Sequence, residues 1–163
     1  IIKGGGKSPV YVDMGVVDIK REGDHYMKLR KIYEQTLKLM ETYLPDEVAI
    51  EAPFFGKNVQ SMLKLGRAQG VAMAAVLSRD VPVFEYAPRK IKLSITSAGD
   101  ASKEQVAHML MRLFDLKTLP RNLDATDGLA AAVCHFYQDG IILPKSGTKN
   151  WEEFIRKNPG RVK

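Results

Sequence analysis

The sequence has a single cysteine and lacks any long apolar segment. Cys134 has no partner for an intrachain disulfide, which excludes a disulfide-stabilised secreted domain and fits a reducing compartment. A transmembrane helix needs about 20 consecutive apolar residues, and no run here approaches that length, which excludes a helical membrane protein. The opening residues, rich in glycine and charge, lack the apolar core of a signal peptide. Together these absences predict a cytoplasmic protein.

Positive charge is in excess, but its distribution says little about function. The 163 residues have a formal net charge of +6, and residues 139–163, with six basic and three acidic side chains, account for half of it. The net charge alone therefore does not distinguish a DNA-binding surface from an ordinary solvated surface. We predict one domain over residues 1–138, long enough for a real core, and a basic C-terminal tail over residues 139–163.

The chain opens in the middle of a structural pattern. Ile1 and Ile2 lead directly into the glycine-rich turn of residues 3–7, and two residues are too few for the edge of a domain. We therefore expect the first strand of the domain to precede Ile1. The β-branched and aromatic residues of segment 10–19 predict the second strand of a hairpin.

Apolar periodicity and capping residues divide the rest of the chain into alternating helices and strands. This alternation after an initial hairpin indicates an α/β fold with a mixed sheet. In the helix over 58–78, Val59, Leu63, Leu77 and other apolar residues are expected to share one face. The expected elements are a helix from Tyr26 to Leu44, a strand over 48–51, a helix from the N-cap Asn58 to about Ser78, a strand over 81–86, a short helix from Pro88, a helix after the capping box of Ser102 and Gln105, and a last helix from Asp124.

Three acidic residues stand out by their positions. Glu51 ends an apolar strand, where an unpaired charge is costly to bury. Asp124 and Asp127 lie three residues apart and so share a face at the start of a helix. Carboxylate oxygens suit Mg²⁺ or Mn²⁺ better than zinc. Ordinary structural roles remain open: Asp124 as an N-cap, Asp127 as a first-turn acid, and Glu51 as half of a salt bridge.

Several separate motifs, in the same order, resemble RuvC-type Holliday-junction resolvases. The resemblance covers roughly residues 11–137. A lone Asp-x-x-Asp pattern would be weak evidence, whereas agreement among several motifs is specific. The motifs that carry it are VAIEAPFFGKN, which begins at Val48, then SMLKLGRAQGVAMAA, PVFEYAPRKIK, SKEQVAHML and LDATDGLAAAVCHF.

The resemblance implies a ribonuclease-H-like fold and a homodimer that acts on four-way junction DNA together with a branch-migration helicase complex. It also implies phosphodiester hydrolysis with two divalent ions, Mg²⁺ or Mn²⁺, held by four carboxylates. Glu51 would be the strand carboxylate, and Asp124 and Asp127 the helix pair. The fourth acid belongs to an N-terminal pattern like Gly-Ile-Asp-Pro-Gly, which has no counterpart in this sequence. Asp13 and Asp18 lie on the later hairpin strand and do not replace it, so we expect this polypeptide to be a poor nuclease.

The resemblance also identifies candidate DNA contacts. Lys92 and Lys103 match lysines near the active site that bind phosphate and stabilise its transition-state charge. Phe54 matches an aromatic residue that stacks on bases and helps to open the junction centre, whereas Phe55 is expected in the core or at its rim. The candidates for a wider phosphate-binding surface, each individually more typical of a solvated surface, are Lys57, Lys64, Arg67, Arg89 and Lys90.

Two other functions remain open. The chain could be a non-catalytic four-way-junction binding module that lacks the first catalytic acid. It could also be another ribonuclease-H-like protein that acts on a different nucleic acid. His108, Cys134 and His135 are expected only to pack on their helices.

A pair of glycines in the helix over 58–78 predicts close packing. Gly66 and Gly70 cost about 1 kcal/mol each relative to alanine, so close approach to another element is expected to offset them. That element is either the sheet of the same chain or the partner helix of the homodimer.

Overall fold

Helices and strands alternate along the chain in the computed structural model, as the sequence pattern predicts. The structure describes residues 1–53, 58–118, 120 and 122–140. Within these ranges an antiparallel and a parallel strand pair occur, in two separate two-stranded sheets. The elements are β1 (Ile2–Lys3), β2 (Val10–Tyr11), α1 (His25–Tyr43), β3 (Val48–Glu51), α2 (Val59–Leu77), β4 (Val83–Tyr86), α3 (Pro88–Thr96), α4 (Lys103–Phe114) and α5 (Asp124–Gly140).

The hairpin at the start of the chain is confirmed, but its second strand is short. β1 and β2 pair antiparallel across the glycine turn, in which Gly5 has a φ of 112° that favours glycine. The expected strand over 10–19 ends at Tyr11. The main-chain N–H groups of Val12 and Asp13 both donate to the carbonyl of Ile1, at 3.1 and 3.3 Å. Beyond these bonds, segment 12–19 forms no regular strand with any described residue.

Side-chain caps fix the starts of α1 and α2. The Asp24 side chain accepts a hydrogen bond from the N–H of Met27 at 2.8 Å. The Asn58 side chain accepts from the N–H of Ser61 at 3.0 Å, which confirms the predicted cap. α1 ends where Leu44 adopts a left-handed conformation, with φ of 45°. α1 and α2 pack against each other.

Part of the apolar face expected for α2 is open to solvent. Val76 is buried, whereas Val59 and Leu63 are exposed. A Cβ atom built on Gly66 or Gly70 would meet nothing within 4 Å in the described part of the chain. Close packing of the two glycines on the chain's own sheet is therefore ruled out for these ranges.

β3 and β4 are parallel neighbours, joined through α2 in a β–α–β unit. The register pairs Val48 with Val83 and Glu51 with Tyr86. The side chains of β3 are half-buried rather than fully buried as expected, since β4 is its one strand neighbour within the described ranges. Successive side chains of a strand point to opposite faces, so Glu51 and Ala49 lie on the same face of β3.

α5 is the central helix of the core. It packs against β3, β4, α3 and α4, and its residues Leu129, Val133 and Cys134 are almost completely buried. Ile91 of α3 and Leu110 of α4 belong to the same cluster. The capping box that was predicted for α4 is present, with both of its hydrogen bonds.

The predicted domain boundary falls inside α5, which continues to Gly140. The division into a domain over 1–138 and a tail over 139–163 stays a prediction, because residues 141–163 lie outside the described ranges. No helix within the described ranges combines the length and the apolar character needed to cross a bilayer.

Candidate active site

β3 and α5 form the two walls of a small cleft. The face of β3 that carries Glu51 packs against α5, on which Asp127 and Ala131 lie one helical turn apart. The cleft has a volume of about 270 Å³. A Cβ atom built on Gly128 would meet no described residue within 4 Å, so this part of the cleft is open. The lining residues are Ala49, Ile50, Glu51, Gln69, Asp127, Gly128 and Ala131.

Glu51 lies in an environment that disfavours its charge. Burial raises the pKa of its carboxyl group, and the negative charge of Asp127 raises it further, against smaller opposing effects of Lys103 and Lys92. Within the described ranges Glu51 has no ion pair, so the structural salt bridge considered for it is not found there. A carboxylate held beside another carboxylate is typical of functional sites.

Lys103 connects the two acids of α5. Its Nζ atom lies 2.9 Å from Oδ1 of Asp124 and 2.8 Å from Oδ2 of Asp127. These hydrogen bonds raise the pKa of Lys103 above its usual range. The hydrogen bond that Lys103 donates to Asp124 lowers the pKa of this aspartate. Lys103, which sequence resemblance had placed near the active site, therefore keeps Asp124 ionised and is hydrogen-bonded to both aspartates.

Asp124 is not the N-cap of α5, contrary to the ordinary role considered for it. The side chain of Asn122 accepts a hydrogen bond from the main-chain N–H of Asp124 at 3.0 Å, so Asn122 performs the capping. The carboxylate of Asp124 is instead two-thirds exposed and turned towards Lys103. This leaves it available to solutes that approach the start of the helix.

The donors in the cleft fit a hard divalent cation. Glu51 and Asp127 offer carboxylate oxygens at one opening, and Mg²⁺ commonly binds to one or two carboxylates while water and substrate phosphate complete its shell. No group of three or more His, Cys, Asp and Glu side chains suited to a metal ion occurs in residues 1–53, 58–118, 120 and 122–140. The expectation that Glu51, Asp124 and Asp127 bind metal jointly stays a prediction.

The predicted DNA-contacting residues lie on two helices. Lys92, on α3, is half-buried. It lies close enough to Glu51 for its positive charge to oppose part of the rise in the pKa of Glu51. Arg89 and Lys90 are exposed near the start of α3, where Nζ of Lys90 lies 5.0 Å from the ring centroid of Tyr86. Exposed positions on α2 are occupied by Lys64 and Arg67, whereas Phe54, Phe55 and Lys57 lie outside the described residues.

Gln69 is a site residue that the sequence did not reveal. Its Nε2 atom donates to the main-chain carbonyl oxygen of Glu51 at 2.5 Å, and its side chain lines the cleft. The two residues are 18 positions apart, and no local spacing pattern links them. The only sequence signal is a polar side chain among small and apolar neighbours just before Gly70.

The opposite end of the β3–α5 contact contains a hydrogen-bonded chain that runs from buried Tyr86 through buried His135 to exposed Glu47. Nδ1 of His135 lies 2.7 Å from the hydroxyl of Tyr86, and Nε2 of His135 lies 2.8 Å from Oε2 of Glu47. The His135 ring also stacks on Phe84, with ring centroids 4.5 Å apart. The expectation that His135 packs in the core is confirmed, with a polar network that fixes α5 against the strands.

Comparison with known proteins identifies the family. The family model described as crossover junction endodeoxyribonuclease RuvC matches residues 1–135. The chain belongs to the RuvC family. A Bacteroides fragilis protein named crossover junction endodeoxyribonuclease RuvC is 61% identical over 160 residues, which are 97% of this chain and 85% of the relative. The RuvC protein of Christiangramia forsetii is 55% identical over 163 residues, which are 100% of this chain and 85% of the relative.

Solved structures of RuvC proteins share the fold. The structure described as Thermus thermophilus RuvC in complex with a Holliday junction substrate matches with a TM-score of 0.77 and 29% identity, over 84% of each chain. A second structure of Thermus thermophilus RuvC matches with a TM-score of 0.74, 29% identity and 86% coverage of each chain. The ribonuclease-H-like fold implied by the sequence motifs is therefore confirmed.

Proposed function

We propose that this chain is a Holliday-junction resolvase, a structure-specific endonuclease of DNA recombination and repair. The observation that carries the proposal is the cleft where Glu51 meets Asp127, with Lys92 and Lys103 beside it. Acidic groups that bind divalent ions, next to cationic groups that bind phosphate, are the components of metal-dependent phosphodiester hydrolysis. The names of the relatives, crossover junction endodeoxyribonucleases, support the same activity.

The basic and the acidic side chains of the site have different proposed roles. Lys92 and Lys103 bind the scissile phosphate and stabilise the negative charge that develops on it. Glu51 and Asp127, with Asp124 at the mouth of the cleft, hold divalent ions, for which Mg²⁺ is the proposed species, two per site, and Mn²⁺ a substitute. Bound ions supply a lowered pKa for the attacking water and charge stabilisation for the leaving oxygen. Glu51 is partly buried, and its attraction for a cation is stronger there than at an exposed position.

DNA outside the cleft would contact basic side chains on neighbouring helices. Arg89 and Lys90 on α3, and Lys64 and Arg67 on α2, are exposed and can bind backbone phosphates without reading sequence. We extend the surface to Lys57, and we assign base stacking at the junction centre to Phe54 on the family resemblance. Binding of this kind weakens steeply with salt.

The open face of α2 supports the proposal that the chain forms a homodimer. A Cβ atom built on Gly66 or Gly70 would meet nothing within 4 Å in the described ranges, and exposed Val59 and Leu63 lie on the same helix. A second copy of the helix would cover this surface. Leu63→Glu should shift the protein from dimer to monomer in sedimentation at micromolar concentration, whereas Leu39→Glu on α1 should not. A wild-type chain that sediments only as monomer would contradict the proposal.

Two further elements of the proposal rest on family resemblance alone. We place the protein in the bacterial cytoplasm, associated with the nucleoid. We also infer that a branch-migration helicase complex is its partner on junction DNA.

The activity is tested with a synthetic four-way junction in Mg²⁺ and excess protein. Glu51→Gln and Asp127→Asn should abolish cleavage of the junction, whereas Glu85→Gln on the neighbouring strand should cut at the wild-type rate. Equal cleavage by Glu51→Gln would contradict the assigned site.

A non-catalytic junction-binding module is the second candidate. The observation that favours it is that Lys103 neutralises both aspartates of α5, which leaves fewer free carboxylates for metal. Salt-sensitive binding to the junction without any cleavage would support this module. Equal affinity for the junction and for plain duplex would argue against both candidates and favour another nucleic-acid substrate.

A further inference from the structure

Gln69 links helix α2 to the end of β3 at Glu51. Its Nε2 atom donates to the main-chain oxygen of Glu51, the last residue of the strand. The side chain also forms part of the cleft wall, together with Glu51 and Asp127. One half of the amide is thus used to fix the main chain that carries a candidate metal ligand.

The other half of the amide has no hydrogen-bond partner among the described residues. Oε1 of Gln69 is buried and accepts no hydrogen bond from any described residue. Buried acceptors in folded proteins are nearly always paired, and an exception at a site requires an explanation. Since the side chain of Gln69 lines the cleft, a small rotation of the amide would bring Oε1 to a donor supplied by an occupant of the cleft.

The surroundings narrow the identity of that donor. The neighbouring polar side chains in the cleft are those of Glu51 and Asp127, and ionised carboxylates are acceptors only. The nearby amino group of Lys103 is engaged by Asp124 and Asp127. The lining of the cleft includes no cationic side chain among the described residues, so an anionic occupant would bring further acceptors towards Oε1 and no donor for it. A hydrated divalent cation fits, because its charge suits the carboxylates and its water molecules donate hydrogen bonds.

We propose that Gln69 is a positioning residue of the cation site, whose Oε1 accepts a hydrogen bond from the hydration shell of a divalent ion held at Glu51 and Asp127. The proposal rests on the proposed function, since it requires an ion at these carboxylates. Groups that hydrogen-bond to the shell of a bound metal commonly change its affinity by about 10- to 100-fold. Gln69 therefore adds to the site an oxygen acceptor that bears no charge.

Mn²⁺ affinity of the full chain, measured from the free-ion signal in electron paramagnetic resonance, tests the proposal without DNA or catalysis. Gln69→Met keeps the length of the side chain and removes both amide hydrogen-bonding groups. We expect it to weaken Mn²⁺ binding by about tenfold. Gln60→Met, at an exposed position of the same helix, is the matched control and should bind like the wild type.

Gln69→Glu distinguishes the two roles of the side chain, the acceptor oxygen and the hydrogen bond to the main chain of Glu51. This variant keeps an acceptor oxygen but loses the donor to the Glu51 main chain, so it should bind Mn²⁺ at least as tightly as the wild type. Weaker binding by both Gln69 variants would reduce Gln69 to a structural link and overturn the proposal, as would wild-type affinity in Gln69→Met. If Gln69→Met does not fold, the result for Gln69→Glu decides alone.

The metal site itself is checked with Glu51→Gln in the same titration. If the wild type does not bind Mn²⁺, or if Glu51→Gln binds it equally well, the proposed function fails at this site. If Glu51→Gln loses affinity while Gln69→Met does not, the site stands and only the role of Gln69 is wrong.

Discussion

Helix α5 meets the β3 segment at two places that have opposite chemistry. Just before the strand, Glu47 contacts His135, which also hydrogen-bonds to Tyr86. At the other end, Glu51 faces Asp127, and burial and like charge both raise the pKa of Glu51. The first contact is a pair of complementary groups, and the second is a pair of groups that repel. The same helix and strand thus stabilise the fold at one end and, at the other, concentrate negative charge that a cation can neutralise.

The largest expected effect comes from breaking the complementary end. His135→Ala removes both hydrogen bonds and the stack on Phe84, which leaves the buried hydroxyl of Tyr86 without this partner. We expect the free energy of unfolding to fall by about 2–4 kcal/mol, measured by urea denaturation. His108→Ala, at an exposed position of α4, is the control and should change it by less than about 0.5 kcal/mol. Equal losses in the two variants would mean that the network contributes nothing specific.

A smaller effect of opposite sign is expected at the repelling end. Because the pKa of Glu51 is raised in the fold, the folded state favours its protonated form, and ionisation costs stability as pH rises through and above the ordinary glutamate value. Glu51→Gln resembles the protonated form. It should therefore be more stable than the wild type at pH 7, by about 0.5 kcal/mol for a half-exposed, solvent-screened group.

The pH dependence provides the control for Glu51→Gln. Its advantage should vanish below about pH 4, where the wild-type carboxyl group is itself protonated. Glu85→Gln on β4 should show no such dependence. A variant that is less stable than the wild type at pH 7 would contradict the account of Glu51.

The smallest expected effect concerns Lys103, which offsets the repulsion among the acids. Its hydrogen bond lowers the pKa of Asp124, so this pair stabilises the fold above the ordinary carboxyl range and the contribution is lost as pH falls through the lowered value. In Lys103→Met the pKa of Asp124 should rise towards its usual value, as measured by carbon NMR titration. Lys90→Met should leave it unchanged. An unchanged Asp124 in Lys103→Met would mean that the ion pair does not persist in solution.

Local sequence features predicted those parts of the structure that local interactions determine. The cap at Asn58 and the capping box of Ser102 depend on residues three positions apart, and both are present. β3 was predicted with its observed bounds. Position drew attention to Glu51 and Asp127 but did not separate a metal site from ordinary strand and helix roles, and the family motifs decided between the two.

The remaining features depend on contacts that the sequence does not encode locally. Strand β2 ends at Tyr11, although the residues up to Ile19 favour a strand. Asn122 caps α5 in place of Asp124. Gln69 and His135 acquire their roles from partners 18 and 88 positions away. Leu63 is exposed because of the orientation in which α2 packs on α1, and apolar periodicity does not specify that orientation.

The most direct test of the account measures Mn²⁺ binding at the two ends of the β3–α5 contact. Glu51→Gln and Asp127→Asn alter the repelling end, and Glu47→Gln alters the complementary end of the same segment. We predict that each of the first two variants weakens Mn²⁺ binding at least tenfold, while Glu47→Gln retains the wild-type affinity. Equal weakening by Glu47→Gln, or full affinity in Glu51→Gln, would contradict the assignment of the cation site to Glu51 and Asp127.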